Sequence, residues 1–443
     1  RVLGDDAFRR SIQHHGSART GLFTWDAVAQ RTLDAIDDVV GPPPATTTSL
    51  PVRLAVVGPM PPTASGIADY NARLLPALAD VCDVDLFTPG PPPPRPFDER
   101  IRWLPPRALR ETASPWSYDA VIYTVGNSDD HHDLYELAQE IPGVLWMHDV
   151  RVPGLYLTYG KDRLEEPRGD EFLRDRLLRQ YRRRLPLDID WSVEAHSTQW
   201  IEHGLGVSKE LVDIARGVVV SSHAAERIVA LDQQPDTQAM PPVSVLPLAS
   251  PPVSSSADRA VVPGSLVCFG MVAPVKAPEL LISALASLPS STTLTFVGPV
   301  GEGYRGVLES HAAAVGVAER VVFTGRVSPE EYVSFLRTGA VALQLRHETN
   351  GESSAAIMDA LAAGVPVVTN LPAAAELPDG TVAMVPWDVS PGALADVVRP
   401  LLDDDGGLGE RGRAYAASWT FADVARALVE VVSALPATSP ALR

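Results

Sequence analysis

The sequence is poor in cysteine and has no long apolar run. Among its 443 residues only Cys82 and Cys268 are cysteines, and both lie in apolar surroundings far apart in the chain. Buried free thiols in a reducing compartment are the favoured interpretation. No run of about 18 apolar residues is present, which argues against a membrane-spanning helix. The N-terminus also lacks the basic, apolar and small-residue pattern of a signal peptide.

Basic residues are scarce relative to acidic ones. The chain has 37 lysines and arginines against 55 aspartates and glutamates, which gives a formal net charge of −18 at pH 7. No long basic stretch offsets this charge, so the composition argues against a nucleic-acid partner. An anionic ligand would need positive side chains supplied locally at its site.

What the chain does contain is an ordinary globular composition with alternating strand and helix patterns. Apolar residues make up 45% and charged residues 21%, and the length suits two or three domains. The alternation occurs in two successive blocks joined by a Pro/Ser-rich hinge. It predicts an α/β protein with two doubly wound, Rossmann-like domains that face each other across a cleft.

The predicted boundaries divide the chain into four parts. Residues 1–48 form the helical tail of a preceding unit and a Pro-rich linker. Residues 49–255 form the N-terminal domain, residues 256–415 form the C-terminal domain, and residues 416–443 form a closing helix with a return to the N-terminal domain as one option. The likeness of residues 1–40 to residues 401–432, with an arginine rather than a methionine at position 1, motivates the upstream unit.

The stretch from Leu343 to Asn370 is the segment around which the chain is organised. Its apolar alternation, its polar HETNGESS loop and its Ala-rich helix predict strand, loop and helix in succession. We call the HETNGESS loop the central loop. The helix is expected to end at Gly364, and Pro366 starts the next strand. A loop that follows a parallel strand and opens into a helix is where open α/β sheets bind ligands, because free N–H groups converge there.

Polar residues follow two predicted strands of the N-terminal domain. Asn127 and His131 come after AVIYTV, and His148 and Asp149 end VLWMHD. Parallel strands deliver such residues to one edge of a sheet, which predicts a cleft there. Gly66, between the first strand and its helix, is a candidate for close approach of a ligand to the backbone.

The C-terminal domain supplies the positive charge that a phosphate needs. Lys276 lies in the loop after the strand SLVCF, where it could neutralise a phosphate together with backbone N–H groups. Arg346 ends the strand that enters the central loop and is a second candidate for this role.

These motifs resemble the retaining glycosyltransferases of family 4. In the second domain the resemblance rests on the Gly/Glu/Ser loop followed by ALAAG and VPVV. In the first domain it rests on PP…SGIADY, on GNS with a later histidine, and on PGVLWMHD. It covers about residues 52–432. It implies the GT-B architecture, a nucleotide-diphosphate sugar as donor, retention of anomeric configuration, and no metal or other cofactor. It also implies a glycan, lipid-linked or small-molecule acceptor, and a role in polysaccharide biosynthesis.

The resemblance assigns residues to the two sides of the cleft, with the N-terminal domain on the acceptor side. The expected catalytic residues are His148 and Glu352. The expected donor-binding residues are Gly66, Lys276, Arg346, Asn350, Gly351, Ser353, Ser354 and Asp359. The expected acceptor-side residues are Asn127, His131 and Asp149.

The sequence departs from the family pattern at three positions. Met271 replaces the usual arginine after the glycine, while Gly351 and Asp359 stand where the family has two glutamates. A catalytically silent nucleotide-sugar-binding module of a larger protein therefore stays open as an alternative. A two-domain solute-binding protein is the weakest alternative, because such proteins are exported.

The expected location is cytoplasmic, with peripheral contact at the inner membrane face left open. The segment from Arg151 to Leu185 ends in RDRLLRQYRRRLP, whose arginines could contact an anionic lipid or an acceptor phosphate. Acidic neighbours dilute its charge, so an ordinary solvated helix is the other interpretation.

Overall fold

A computed structural model describes most of the chain from residue 52 to residue 435. The gaps within this range are residues 91–97, 113–116, 166–167, 183, 186–203, 234–239 and 253–258. The chain separates into two compact units, Arg1–Pro51 and Val52–Arg443. In the first unit only residues 5–7, 9–10, 29 and 32 are described, and Arg9 N donates to Asp5 O at 3.0 Å in a helical turn. The predicted tail and linker of residues 1–48 otherwise lie outside the described residues.

The first domain is built on a parallel sheet of seven strands. The strands are β1 (Arg53–Val57), β2 (Asp83–Phe87), β3 (Arg102–Leu104), β4 (Ala120–Val125), β5 (Val144–Met147), β6 (Gly217–Val220) and β7 (Val243–Val245). Their order across the sheet is β3-β2-β1-β4-β5-β6-β7, and Val56 pairs with Leu86 on one side and Ile122 on the other. Helices cover both faces of such a sheet, which explains why its central strands are continuous apolar runs.

The helices of this domain follow the strands along the chain. They are α1 (Gly66–Ala79), α2 (Ala108–Thr112), α3 (His132–Glu140), α4 (Pro153–Arg163), α5 (Arg168–Tyr181), α6 (Lys209–Ile214) and α7 (His223–Asp232). Two serines begin helices that start at the carboxyl edge of the sheet. The Ser65 hydroxyl accepts from Ile67 N, and the Ser222 hydroxyl accepts from Ala225 N. These bonds satisfy amide groups that the first helical turn leaves free.

The second domain contains a parallel sheet of six strands. The strands are β8 (Ser265–Phe269), β9 (Thr293–Val297), β10 (Val321–Phe323), β11 (Val341–Gln344), β12 (Val367–Thr369) and β13 (Ala383–Met384), in the order β10-β9-β8-β11-β12-β13. Its helices, together with the two that close the chain, are α8 (Pro278–Leu285), α9 (Glu302–Ala314), α10 (Pro329–Thr338), α11 (Ala355–Ala363), α12 (Pro391–Leu401), α13 (Leu408–Ser418) and α14 (Phe421–Ala434).

In each sheet the order of the strands along the chain reverses at one internal point, the topological switch point. In the first sheet this point lies between β1 and β4, and in the second it lies between β8 and β11. Ligands of doubly wound sheets bind outside the carboxyl ends of the strands at such a point. The predicted pair of doubly wound, Rossmann-like domains is confirmed.

The central segment has the predicted succession of elements. Strand β11 leads through the polar loop to α11, where the Ser354 hydroxyl accepts from Ile357 N. Gly364 ends the helix with φ of +70°, a conformation that glycine adopts at little cost, and β12 follows. Strand and helix are almost wholly buried, so this loop has a rigid support on both sides.

The last helix, α14, packs on the first domain although it follows the second in sequence. The Phe421 ring lies 5.2 Å from the Tyr70 ring of α1. Trp419 Nε1 donates to Pro247 O, and Ser250 N donates to Trp419 O. Buried Leu428 belongs to the same apolar cluster as α1. The end of the chain therefore ties the two domains together beside the hinge.

In the described part of the chain, no helix has the length and apolar character needed to cross a membrane.

Candidate functional site

Loops at the carboxyl ends of β5 and β11 meet across the cleft. Val150 N and Arg151 N both donate to Asn350 O, at 2.8 and 3.1 Å. The Arg151 guanidinium donates to Thr349 O at 2.8 Å. Strand β11 borders the switch point of its sheet, and β5 lies one strand away from that of the first sheet, so these contacts bring the two predicted ligand-binding edges together.

The predicted phosphate-binding lysine, Lys276, is half-buried and lies near Arg346 and Glu352. Its Nζ donates to Phe269 O at 3.2 Å. Gly270 has φ of +90°, which favours glycine, and a Cβ atom there would lie 2.6 Å from this Nζ and would displace it. Burial lowers the pKa of Lys276 to about 8, and the positive charge of Arg346 adds to this effect. A partly buried ammonium group beside a guanidinium group attracts an anion strongly.

Arg346 lies against Glu352 at the start of the central loop. The Arg346 side chain is 8% exposed, and its Nε donates to Glu352 Oε1 at 3.2 Å. The other oxygen, Glu352 Oε2, accepts from Thr349 Oγ1 at 2.8 Å and from Asn350 N at 2.6 Å. Glu352 therefore folds back onto its own loop and holds both the loop and Arg346 in place.

Asp149 brings a carboxyl group from the first domain to the same place. Burial raises its pKa to about 7, and the negative charge of Glu352 raises it further, while Asn127 and Arg346 oppose the shift. Asp149 Oδ2 accepts from Asn127 N at 2.9 Å. We refer to Asp149, Lys276, Arg346 and Glu352 as the charged cluster. It places two cationic and two acidic groups where the sheet edges meet.

The predicted acceptor-side residue Asn127 is a structural support. Its Oδ1 accepts from Gly154 N at 2.6 Å and from Leu155 N at 3.2 Å, so it caps α4. A Cβ atom on Gly154 would lie 2.8 Å from Asn127 Oδ1. The asparagine thus fixes the loop that carries Asp149 relative to the next helix.

The predicted histidines lie at the carboxyl ends of β4 and β5. His148 stacks on Trp146 at 5.5 Å and meets the edge of Tyr70 at 5.3 Å. Burial lowers the pKa of His148 to about 4. His131 is 1% exposed, and burial together with His148 lowers its pKa to about 3. Both imidazoles are therefore neutral near pH 7. His148 is partly exposed and can exchange hydrogen bonds with a hydroxyl group, whereas the His131 ring is enclosed by the protein.

The remaining donor-side residues lie along the cleft, with the exception of Asp359. Gly66 begins α1, and a Cβ atom there would meet nothing within 4 Å, so its backbone is open to a ligand. Ser353 Oγ lies 2.8 Å from Ser221 Oγ of the first domain. Gly351 has φ of +78° and lies so close to the first domain that a Cβ atom would be 2.2 Å from Val150 Cγ2.

Asp359 lies on the buried side of α11 and is already engaged. Its Oδ1 accepts from the Arg73 guanidinium of α1 at 2.7 Å, and its Oδ2 accepts from the Tyr332 hydroxyl at 2.9 Å. The Asp359 side chain is 9% exposed. Asp359 therefore joins the two domains, a role that the sequence did not suggest.

Comparison with known proteins gives a family match in the second domain. The model of a family described as "Glycosyl transferases group 1" matches residues 263–404, which include Lys276 and the central loop. The D-inositol 3-phosphate glycosyltransferase of Mycolicibacterium smegmatis is 31% identical over 191 residues, which are 40% of this chain and 43% of that protein. The match therefore spans less than half of the relative's length.

Solved structures resemble most of the chain in fold. HepE of Anabaena, in complex with UDP, has 15% identity and a TM-score of 0.58, covering 87% of this chain and 100% of that one. The sucrose-phosphate synthase of Thermosynechococcus elongatus has 17% identity and a TM-score of 0.59, covering 88% and 100%. The fold is the GT-B fold.

Several residues of the GT-B cleft escaped the sequence analysis. Arg73 and Tyr332 lie on helices, and Ser221 directly follows β6; nothing in the local pattern marks any of them. Glu376 ends the short turn Pro372–Glu376 that follows β12. Its carboxylate accepts from His223 N at 2.7 Å and from Ala224 N at 2.6 Å, at the start of α7 in the other domain. Each of these contacts joins segments that are far apart in sequence.

Among the described residues, no group of three or more His, Cys, Asp or Glu side chains has the arrangement of a metal site. The expectation that the reaction proceeds without a metal stays a prediction.

Proposed function

We propose that the protein is a retaining glycosyltransferase of family 4 that moves a sugar from a nucleotide-diphosphate sugar to an acceptor. The proposal is supported by the family match to the second domain and by the GT-B fold. HepE, which has this fold, binds UDP. We assign the diphosphate to the second domain and the acceptor to the first.

The observation that carries the proposal is a pair of cations, the half-buried Lys276 and the buried Arg346, at the start of the central loop. Lys276 and Arg346 lie near the beginning of α11, whose first amide groups and positive dipole end also favour an anion. Removing two positive charges from water costs free energy unless a negatively charged partner offsets it. Glu352 offsets part of it, and a diphosphate would offset the rest.

In the proposed reaction, the bond between the anomeric carbon and the diphosphate oxygen breaks, and a bond to an acceptor hydroxyl forms. The electron pair of the broken bond stays on the diphosphate, where Lys276 and Arg346 stabilise it. The acceptor hydroxyl loses its proton during the transfer. His148 and Asp149 position the donor sugar and the acceptor, and Asp149, with a pKa near 7, is suited to accept a proton.

The other donor-side residues have supporting roles in this proposal. Gly66 lets the donor approach the backbone of the first domain, and the loop of Asn350 and Gly351 faces the sugar. Ser353 and Ser354 lie between the loop and α11. Asp359 reaches the ribose by exchanging one of its present partners, Arg73 or Tyr332. No metal or other cofactor is needed, because the cationic pair supplies the positive charge.

A catalytically silent nucleotide-sugar-binding module is the second candidate. Met271 is 56% exposed and offers no charge where the family has an arginine, and Asp359 is fully engaged. Release of the free sugar from a nucleotide sugar by the purified protein would exclude this candidate.

We further propose a cytoplasmic location, with peripheral membrane contact through α5 as the open alternative, and a role in polysaccharide biosynthesis. The acceptor would be a glycan, a lipid-linked molecule or a small molecule. Nucleic acid is not expected as a partner.

The proposed function is tested by removing the ammonium group of Lys276. The Lys276→Ala variant should bind UDP more weakly by about 1–3 kcal/mol, as expected for the loss of a charged hydrogen bond. Calorimetric titration with UDP measures this change. Lys161, which lies at the exposed end of α4, provides the matched control, and Lys161→Ala should bind UDP as the unchanged protein does. Equal affinity of Lys276→Ala and Lys161→Ala would contradict the proposed donor site.

A further inference from the structure

A separate pocket lies between the two domains on the hinge side of α11. Its volume is about 510 Å³, which is within the range of roughly 300–1,000 Å³ found for small-molecule sites. Its walls come from β7 and the residues that follow it in the first domain, and from α11 and the turn after β12 in the second. We call it the hinge pocket. Of the described residues, those of the charged cluster do not line it.

The walls of the hinge pocket are largely apolar. Val245 and Leu248 form one side, Met358 and Leu377 face them, and the ring of Tyr415 contributes from α13. Leu248 and Met358 are almost fully buried. A ligand with an apolar body would remove this surface from water, which favours binding.

Hydroxyl groups form one end of the pocket. Ser221 and Ser353 both line it, and their Oγ atoms are 2.8 Å apart. They can exchange hydrogen bonds with a hydroxyl group of a ligand. Ser353 directly follows Glu352, so this end of the hinge pocket adjoins the charged cluster.

The charges around the hinge pocket discriminate against anions. Glu226 and Glu376 line it, and the described residues that line it include no lysine or arginine. Both oxygens of Glu376 are held by the amide groups of His223 and Ala224, and Glu226 Oε2 lies 2.8 Å from His223 Nδ1. Arg227 lies 3.8 Å from Glu376 Oε1, but it is exposed and is not among the described lining residues. An anionic ligand in the pocket would still meet both carboxylates at close range.

We infer that the hinge pocket binds an uncharged small molecule that has an apolar body and a hydroxyl group at the serine end. This site adjoins the proposed donor site at Ser353 and Ser354, which line both, but its apolar walls lie outside the donor site and the inference does not depend on the proposed function. Because both domains supply its walls, a bound ligand stabilises the arrangement in which they are in contact.

The inference is tested with two fluorescent probes that share one aromatic skeleton. N-phenylnaphthylamine is uncharged, and anilinonaphthalene sulfonate carries an added negative group. We expect saturable binding of the uncharged probe, tighter than that of the sulfonate by about tenfold or more, since the sulfonate meets both carboxylates. Met358→Glu should weaken binding of the uncharged probe by a similar factor. Met384→Glu is the matched control, because Met384 is 41% exposed on β13 and lies outside the pocket.

A surface variant keeps the test decisive if Met358→Glu fails to fold. Glu226→Lys changes a half-exposed side chain of α7 and reverses one charge of the pocket. It should strengthen binding of the sulfonate probe by about tenfold and leave the uncharged probe unaffected. Equal affinity of the unchanged protein for the two probes would overturn the inference. So would unaltered sulfonate binding in Glu226→Lys, or equal effects of Met358→Glu and Met384→Glu.

Discussion

Asp149 shows how position changes the chemistry of an ordinary side chain. Its carboxyl group would have a pKa near 4 in water, and burial with Glu352 nearby raises the pKa to about 7. The sequence located this residue at the end of a strand. Its pKa depends on Glu352, which is about 200 residues away in the chain and comes close only in the fold.

The raised pKa of Asp149 has a consequence for stability. The folded protein keeps a proton on Asp149 between about pH 4 and pH 7 that the unfolded chain has lost, so the free energy of unfolding falls as the pH rises through this window. The slope from one such group is at most about 1.4 kcal/mol per pH unit. Asp149→Asn can still accept from Asn127 N, carries no charge, and should remove this contribution. Chemical denaturation at several pH values measures the slope, and identical slopes in both proteins would show that Asp149 does not titrate in this window.

His148 is a second residue whose surroundings determine its charge and its proposed role. Its neutral ring lies between Trp146 and Tyr70, and its Nε2 has no hydrogen-bond partner among the described groups. We expect His148→Ala to lower the rate of transfer by about 10²-fold, as for loss of positioning, with nucleotide affinity almost unchanged. Transfer and UDP binding should be measured on one preparation. A parallel loss of UDP affinity would place His148 on the donor side, and full activity would leave it as a packing residue.

At the scale of elements, the long apolar and amphipathic segments could be predicted from sequence. Strand β11, helix α11 and strand β12 follow from their patterns, since turn residues separate them clearly. Strands β3 and β13 could not be predicted, because RWL and AM are not part of an apolar run such as the VPVVT that marks β12. Both lie at sheet edges, where the rest of the sheet determines the pairing.

The closing helix α14 gives the clearest test at this scale. Its amphipathic pattern predicted a helix, and only the structure shows that it covers α1. Leu428 is fully buried in this contact. We expect Leu428→Ala to lower the free energy of unfolding by about 2–5 kcal/mol, the range for large-to-small changes in a core. Glu430→Ala, on the exposed side of α14, is the control. Similar denaturation midpoints for the two variants would mean that α14 contributes little to the stability of the first domain.

At the scale of the whole molecule, the contacts across the cleft determine how the site is assembled. Arg73 reaches Asp359 over a separation of 286 residues, and Ser221 reaches Ser353 over 132. A local sequence pattern cannot pair residues at such distances, which is why Arg73 and Tyr332 were missed and Asp359 was given a donor role alone. The GT-B fold was predictable because strand and helix patterns alternate along each domain, and the position of Lys276 was predictable because it belongs to one continuous strand-loop-helix segment.

Gly351 provides a way to separate the domains without altering either core. A Cβ atom there would lie 2.2 Å from Val150 Cγ2 and 3.0 Å from Ile228 Cδ1, both in the first domain. Gly351→Ala should therefore oppose the contact between the domains. We expect the rate of transfer to fall by about 10²-fold, because the reacting groups lie on different domains. UDP affinity should change little, since the proposed diphosphate contacts belong to the second domain alone.

The strain of the substitution itself must be distinguished from this clash. Gly351 has φ of +78°, and an alanine in this region costs about 1–2 kcal/mol wherever it occurs. Gly316 has φ of +77°, and a Cβ atom there meets nothing within 4 Å. Gly316→Ala therefore carries the same backbone strain without the clash and should transfer sugar at the normal rate. Small-angle scattering should show a larger radius of gyration for Gly351→Ala than for Gly316→Ala. Equal radii and equal transfer rates in the two variants would show that catalysis does not require the contact between the loops of Val150 and Gly351.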